Sequence, residues 1–363
     1  MIFYFHLSGE LPSNGIPANE VIAIIKAVNA EIKETQVYDK ILVVTTNTDI
    51  SKQVAERAAY IHRCGKVIFI ISLPDLNLIN KKLQEIDFNQ IMKKKTSFAV
   101  RIKKIKGSYL SISEENLERY IGNQIINNLD RNIKVNLINP SILFYGFVTE
   151  ENFIFGINLY SGKRPEIRKR APHTRPFFHP CGLDPFLARA MVNLSEMDRS
   201  KTLYDPFCGS GSILIESKLM GFKTYGSDIN QKMLKGTILN LRALNIQGFN
   251  LFRADARSPC IQKIDCIVTD PPYGRSTHIE LGKLTFNNTK SLSNLYRTLK
   301  NLLVDFFRKN SEILTRGGKC VIALPSTLEI DNIILSHNFI IQQKFDFFVH
   351  RSLTRTIFIL EKV

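Results

Sequence analysis

The chain reads as an α/β protein, and three features of its carboxyl half fix that class. Leu203-Tyr204 ends a short apolar strand and runs through Asp205-Pro206-Phe207-Cys208-Gly209-Ser210-Gly211-Ser212 into Ile213–Met220, a segment of helical spacing and high helix propensity. A strand, a glycine turn and a helix form the nucleotide-binding opening of a doubly wound sheet, and Gly209 and Gly211 let the backbone approach a ligand closely. The next two strand-like segments, Lys223–Asp228 and Phe252–Ala256, place the acids Asp228 and Asp255 at their carboxyl ends. About sixty residues beyond the glycines, the buried-type strand Asp265-Cys266-Ile267-Val268-Thr269 runs into Asp270-Pro271-Pro272-Tyr273. Open α/β sheets bind ligands beyond the carboxyl ends of their strands, so these turns and acids should meet in one Rossmann-like crevice.

The other elements follow in order. Residues 2–8 read as a strand, and Ala18–Ala30 as an amphipathic helix after the turn Pro12-Ser13-Asn14-Gly15. Ile41–Thr45 is a second strand, Ser51–His62 a helix and Val67–Ile71 a third strand, together a small ferredoxin-like β-α-β-α-β layer. Leu76–Ile86 is a further helix, 97–105 a basic strand, and Glu114–Leu129 a helix. Val135–Leu137, Ile142–Phe147 and Asn152–Asn158 are closing strands. Lys163–Thr174 is a basic, Pro-containing linker that leads to the helix Phe186–Leu194, and the terminal strands Phe339–His350 and Thr356–Val363 form a hairpin. The expected division is 1–90, 91–160, a linker at 161–174, and 175–363.

Composition narrows the function classes. At 363 residues the chain exceeds one compact core. No apolar run approaches the ~20 residues of a membrane span, and the start, Met1–His6, reads as a strand rather than a signal peptide. Six cysteines without a C-x-x-C pair argue against zinc and against a disulfide framework, so a reducing cytoplasm is the expected setting. A net charge of +16 favours a polyanionic partner. The charge is clustered. Lys93, Lys94 and Lys95 precede the strand that holds Arg101, Lys103 and Lys104, and a second group holds Lys163, Arg164, Arg168, Lys169, Arg170 and Arg175.

The Asp270–Tyr273 turn suits one chemistry. Pro271 and Pro272 have no N–H and turn the chain with free carbonyl acceptors. A carboxylate, those carbonyls and an aromatic ring can hold a planar amino-bearing base while its nitrogen attacks an electrophilic methyl group. Asp228 could accept from ribose hydroxyls, and Asp255 could meet an adenine amino group. The absence of G-x-G-x-x-G disfavours a dinucleotide enzyme, and the absence of G-x-x-x-x-G-K-[ST] disfavours an ATPase. Cys208, Cys260 and Cys266 read as inert thiols, because an amine acceptor needs no covalent activation.

The order and spacing resemble the Rossmann-like S-adenosylmethionine-dependent amino-methyltransferases. More closely, the carboxyl half resembles the archaeal tRNA (guanine-10) N2-methyltransferase family, through Arg175–Pro180, Leu187–Leu194, Asp205–Gly211, Asp270–Thr277 and His350–Arg355. The amino half is similar to a ferredoxin-like domain followed by a THUMP RNA-binding domain. The resemblance implies S-adenosylmethionine held by His179, Pro180, Asp205, Pro206, Phe207, Cys208, Gly209, Gly211, Asp228, Ile229, Asp255, Ala256 and Asp270. Catalysis would fall to Asp270, Pro271, Pro272 and Tyr273. A tRNA partner would meet the two lysine clusters together with Arg351 and Arg355, on a monomer with neither metal nor membrane, an accessory subunit staying open. Other readings are N2-methylation of a different tRNA or rRNA guanosine, DNA adenine-N6 methylation, and a non-catalytic RNA scaffold.

Overall fold

The structure is a computed structural model that describes residues 1–9, 15–93, 95–105, 112–130, 132–272, 280–281, 284–285, 292–350 and 353–363. It divides into two compact units, one of residues 1–21, 29–56 and 60–163, the other of 22–28, 57–59 and 164–363.

The first unit is built on a single eight-stranded sheet. In chain order its elements are β1 (Ile2–Leu7), α1 (Ile16–Ala27), β2 (Ile32–Tyr38), β3 (Ile41–Thr46), α2 (Ser51–Arg57), β4 (Ile61–Ser72), α3 (Leu76–Gln84), α4 (Phe88–Met92), β5 (Ser97–Lys104), α5 (Glu114–Asn127), β6 (Lys134–Val135), β7 (Ile142–Val148) and β8 (Asn152–Ser161). The order β2-β3-β1-β4 is that of a ferredoxin-like layer, and β4 carries the sheet on into β8-β7-β5-β6. Strand β4 does both jobs because it is long: its first half pairs with β1 and nearly its whole length with β8. Gly65 is needed there, since a Cβ would lie 1.9 Å from the Ile157 carbonyl oxygen. The helix expected over Ser51–His62 stops at Arg57, because Ile61 is already laddered to Leu7. Leu117, Ile121 and Ile125 of α5 are buried at helical spacing among a phenylalanine-rich core, in which Phe144 stacks on Phe155 at 5.8 Å.

The second unit contains α6 (Arg164–Arg168), α7 (Pro185–Leu194), β9 (Thr202–Asp205), α8 (Ser212–Leu219), β10 (Lys223–Asp228), α9 (Gln231–Ala243), β11 (Asn250–Arg253), β12 (Ile264–Thr269), β13 (Glu280–Leu281), β14 (Leu284–Thr285), α10 (Leu292–Ile313), β15 (Leu314–Pro325), α11 (Asp331–Leu335), β16 (Phe339–His350) and β17 (Leu353–Lys362). Its seven-stranded sheet has the order β11-β10-β9-β12-β15-β17-β16. Strands β11, β10, β9, β12 and β15 run parallel, and β17 is antiparallel to both β15 and β16. Chain order reverses between β9 and β12, the switch point beside which doubly wound sheets open a ligand crevice. Within the expected linker, Arg164–Arg168 is helical and anchored by buried Ile167. Among the described residues no helix is long and apolar enough to cross a membrane.

Candidate active site

The crevice at the switch point is a cavity of about 230 Å³. The first wall comes from the end of β9. Asp205 closes the strand, and Gly209 and Gly211 turn the chain through positive φ of 52° and 87°. That conformation costs an L side chain ~1–2 kcal/mol, so glycine is the residue that can start α8 here. Three bonds pin the turn: Cys208 N–H donates to Ser227 O at 2.9 Å, Gly209 N–H to Asp228 Oδ2 at 2.9 Å, and the Thr237 hydroxyl to Gly209 O at 2.6 Å. Asp228 closes β10 and also accepts from Asn230 N–H at 2.8 Å. Asp255 lies just beyond β11, where Arg257 grips it through Nε and Nη2. Burial opposes its ionisation, but the bonds from Arg257 outweigh burial and hold Asp255 below the usual carboxylate range.

The second wall starts at β12. Thr269 donates to Asp205 Oδ1 at 2.7 Å, and Asp270, Pro271 and Pro272 follow it along the cavity. Burial drives Asp205 up to about 8, the charges of Asp228 and Asp270 push the same way, and bonds from Thr269 and the Phe207 N–H offset only part. Arg355 reaches Asp270 from β17, with Nη2 3.3 Å from Oδ2 and both side chains largely buried. Strand β17 is antiparallel to β15 and pairs Arg355 with Pro325, so its beginning lies at the carboxyl edge of the parallel strands. That register brings Arg355 to the cavity, whereas the sequence placed it among RNA-guiding residues of a terminal turn.

The structure gathers His179, Asp205, Pro206, Phe207, Cys208, Gly209, Asp228, Ile229, Asp255, Ala256, Asp270, Pro271 and Pro272 around this one cavity. His179 Nδ1 accepts from Cys181 N–H at 3.3 Å, which fixes the turn that brings Cys181 and Gly182 in beside it. Pro180 is exposed and does not line the cavity, and Gly211 acts one step back as the left-handed N-cap of α8. Tyr273 lies outside the described residues. Asp228, Asp255 and Asp270 bring carboxylates to the space, and Asp205 stands beside them mostly protonated. Arg257 and Arg355 pair with Asp255 and Asp270, so Asp228 is the carboxylate best placed to meet a ligand's positive charge. Cys208 also lines it. Burial, reinforced by Asp205 and Asp228, pushes its thiol well above the ordinary value, so it is held as a thiol rather than a nucleophilic thiolate.

The basic residues divide. Lys93, Lys95, Lys103 and Lys169 are exposed, and Lys94 and Arg351 lie outside the described residues. Arg101 is tied to Glu118 at 3.2 Å and to the Leu137 carbonyl at 2.9 Å. Arg170 turns inward and grips fully buried Glu216 through two bonds of 2.7 and 2.8 Å, and Arg189 adds a third at 2.9 Å. Arg175 is buried as well and donates to Ser212 Oγ at 2.8 Å. In the first unit, Lys103 and Lys104 instead line a separate basic concavity of about 350 Å³ with His6, Lys40, His62, Arg63 and Tyr145. The Arg63 guanidinium lies 4.0 Å over the Tyr145 ring. Burial, then the charges of His62, Arg63, Lys40 and Lys103, pull His6 down to about 3. Sequence reading missed Lys40, His62 and Arg63, which come from segments that carry no charge run.

Residues 172–357 match the model of the UPF0020 family, described as an RMKL-like methyltransferase domain. The tRNA (guanine(10)-N2)-dimethyltransferase of Methanothermobacter thermautotrophicus is 36% identical over 86% of this chain and 85% of its own. The chain belongs to the tRNA (guanine(10)-N2)-dimethyltransferase family. A second member, from Methanocaldococcus jannaschii, is 30% identical over 96% of this chain and 97% of its own. Residues 74–158 of this dimethyltransferase-family chain match the THUMP domain. The crystal structure of TrmN from Thermus thermophilus shares the fold, with a TM-score of 0.55 at 17% identity over 100% of both chains.

Proposed function

We propose that this protein methylates the exocyclic N2 amine of a guanosine in tRNA, position 10 as in its named relatives, with S-adenosylmethionine as methyl donor. The observation behind this reading is the convergence of Asp270, Pro271 and Pro272 with Asp205, Asp228 and Asp255 on one cavity at the carboxyl edge of the sheet. The donor set fits the cofactor: Asp228 and Asp255 at successive strand ends can accept from ribose and amine groups, and the charge of Asp228 suits a sulfonium. When bound, S-adenosylmethionine supplies an electrophilic methyl group.

The chain's own residues handle the nucleophile. The guanine N2 lone pair is delocalised into the ring and reacts poorly. The Asp270 carboxylate and the Pro271 carbonyl accept its two N–H groups, which orients the nitrogen and stabilises the positive charge that grows on it. The proton leaves after methyl transfer, so no strong base is required. Pro206, Phe207 and Ile229 give the remaining cofactor wall its apolar character. Residues 1–90 and 91–160 act as the RNA platform, joined by 161–174 to the catalytic region 175–363, in the cytoplasm. Within that platform the concavity of Lys40, Arg63, Lys103 and Lys104 takes RNA phosphates.

The decisive experiment incubates purified protein and S-adenosylmethionine with unmodified tRNA transcript and maps modified nucleosides by mass spectrometry. N2-methylated or N2,N2-dimethylated guanosine at one position is the expected product. Its absence, with cofactor shown to bind, overturns the reading.

A further inference from the structure

Arg355 stands beside Asp270 in the cavity, yet a guanidinium opposes the binding of a sulfonium and the growth of positive charge on nitrogen. A neutral acceptor on a ligand that comes to rest beside the Asp270–Arg355 pair would gain a charge-assisted hydrogen bond there. Guanine offers one. Along its pairing edge, N2–H and N1–H are donors and O6 is an acceptor. Along the cavity wall, the Asp270 carboxylate presents acceptors, and Arg355 Nη2 sits next to Oδ2 as a donor. The two sequences of groups are complementary. Both side chains are largely buried, at 12% and 13% exposure, so the pair is a desolvated, pre-oriented unit rather than a surface contact. Strand order also fixes it: β15 ends at Pro325, and Arg355, its partner in the β17 ladder, meets the chain just beyond β12.

We propose that Arg355 is a specificity-determining residue that donates a hydrogen bond to O6 of the target guanine while Asp270 reads N1–H and N2–H. This rests on the guanosine reading above. A purine that keeps the N2 amine but replaces O6 by an amino group, 2,6-diaminopurine, puts a donor against the guanidinium and, having no N1–H, a lone pair against Asp270, so it should be rejected. The part of that rejection lost on changing Arg355 reads the O6 contact.

The test uses the full chain and transcripts that carry guanosine or 2,6-diaminopurine at the position the parent methylates, with labelled S-adenosylmethionine and single-turnover kinetics. The readout is the ratio of the two rates, compared between parent and variants, which cancels any effect of the analogue on the RNA itself. Arg355→Met should lower the guanosine preference by about ten- to hundred-fold, the size expected of a charge-assisted hydrogen bond. Arg355→Lys, which keeps a charge beside Asp270, should fall in between, and decides the matter if the Met variant does not fold. A preserved ratio overturns the proposal. Proportional loss of both rates would make Arg355 a support for Asp270 alone, and a preserved ratio with weakened cofactor binding would assign it to the cofactor. Failure of the parent to methylate guanosine at all would instead sink the guanosine reading.

Discussion

The Thr269 hydroxyl donates to Asp205 Oδ1 at 2.7 Å, so the last residue of β12 is tied to the last residue of β9 across the switch point. This bond joins the cofactor end of the cavity to the Asp270 end, and its acceptor is a fully buried carboxyl. Burial holds Asp205 at about 8 against an ordinary 3.8. The folded state therefore keeps a proton that the unfolded chain has released.

A pH dependence follows with a definite sign. The stabilisation is complete below about pH 4 and is lost as the pH rises towards 8, at up to ~1.4 kcal/mol per pH unit within that window. Heat-denaturation midpoints of the parent should fall between pH 5 and 8. Asp205→Asn keeps the acceptor for Thr269 and removes the titration, so its midpoints should fall less. Identical slopes for the two proteins would mean that Asp205 is ionised in the folded state.

Asp270→Ala should slow methyl transfer by roughly 10²–10³-fold, by analogy with the loss of one preorganised hydrogen-bonding group. RNA affinity should stay nearly intact, because the phosphates are met elsewhere. Single-turnover rates with saturating RNA separate the two effects. A variant as fast as the parent removes Asp270 from the chemistry.

Gly211→Ala tests the turn itself. Its φ of 87° is strained for alanine, and the added Cβ would lie 2.8 Å from Thr237 Cγ2, whose hydroxyl holds the Gly209 carbonyl. Strain of ~1–2 kcal/mol should lower S-adenosylmethionine affinity by about five- to thirtyfold. Calorimetric titration with the cofactor reads this directly, and unchanged affinity would show that the turn does not set the cavity's shape.

The catalytic edge was legible in the sequence because strand ends, glycines and prolines are local signals. Asp205, Asp228 and Asp270 need only their own strands to be placed. Strand β2 was not legible. Ile32–Tyr38 is mostly polar and exposed, and it exists through backbone pairing with β3 at a sheet edge rather than through an apolar face. The apolar pattern marks only Val67–Ile71 of strand β4, because Arg63, Gly65 and Lys66 interrupt it. The Asp270–Arg355 pair was hidden for a different reason. It joins residues 85 apart, and only the order β12-β15-β17 makes them neighbours. Charge clustering misled in one respect. Sequence counts Arg170 as a free cation, while Glu216, 46 residues on, claims it.

That difference separates structural from RNA-binding arginines and lysines by experiment. Arg170 bonds a carboxylate with no exposure at all, and removing one partner of a buried pair costs ~3–5 kcal/mol. Arg189 still holds Glu216 after the change, so Arg170→Ala should sit near the lower end of that range, read as a lower denaturation midpoint. Its RNA affinity, measured below that midpoint, should keep the parent's salt dependence. Lys40→Ala combined with Lys103→Ala should do the opposite. Both side chains line the basic concavity, so stability should barely move. The logarithmic salt slope of tRNA binding should then flatten by about 0.7–0.9 for each phosphate that is no longer neutralised. Were the slope to flatten in the Arg170 variant and hold in the lysine pair, the RNA path would run over the 163–175 segment and not across the concavity.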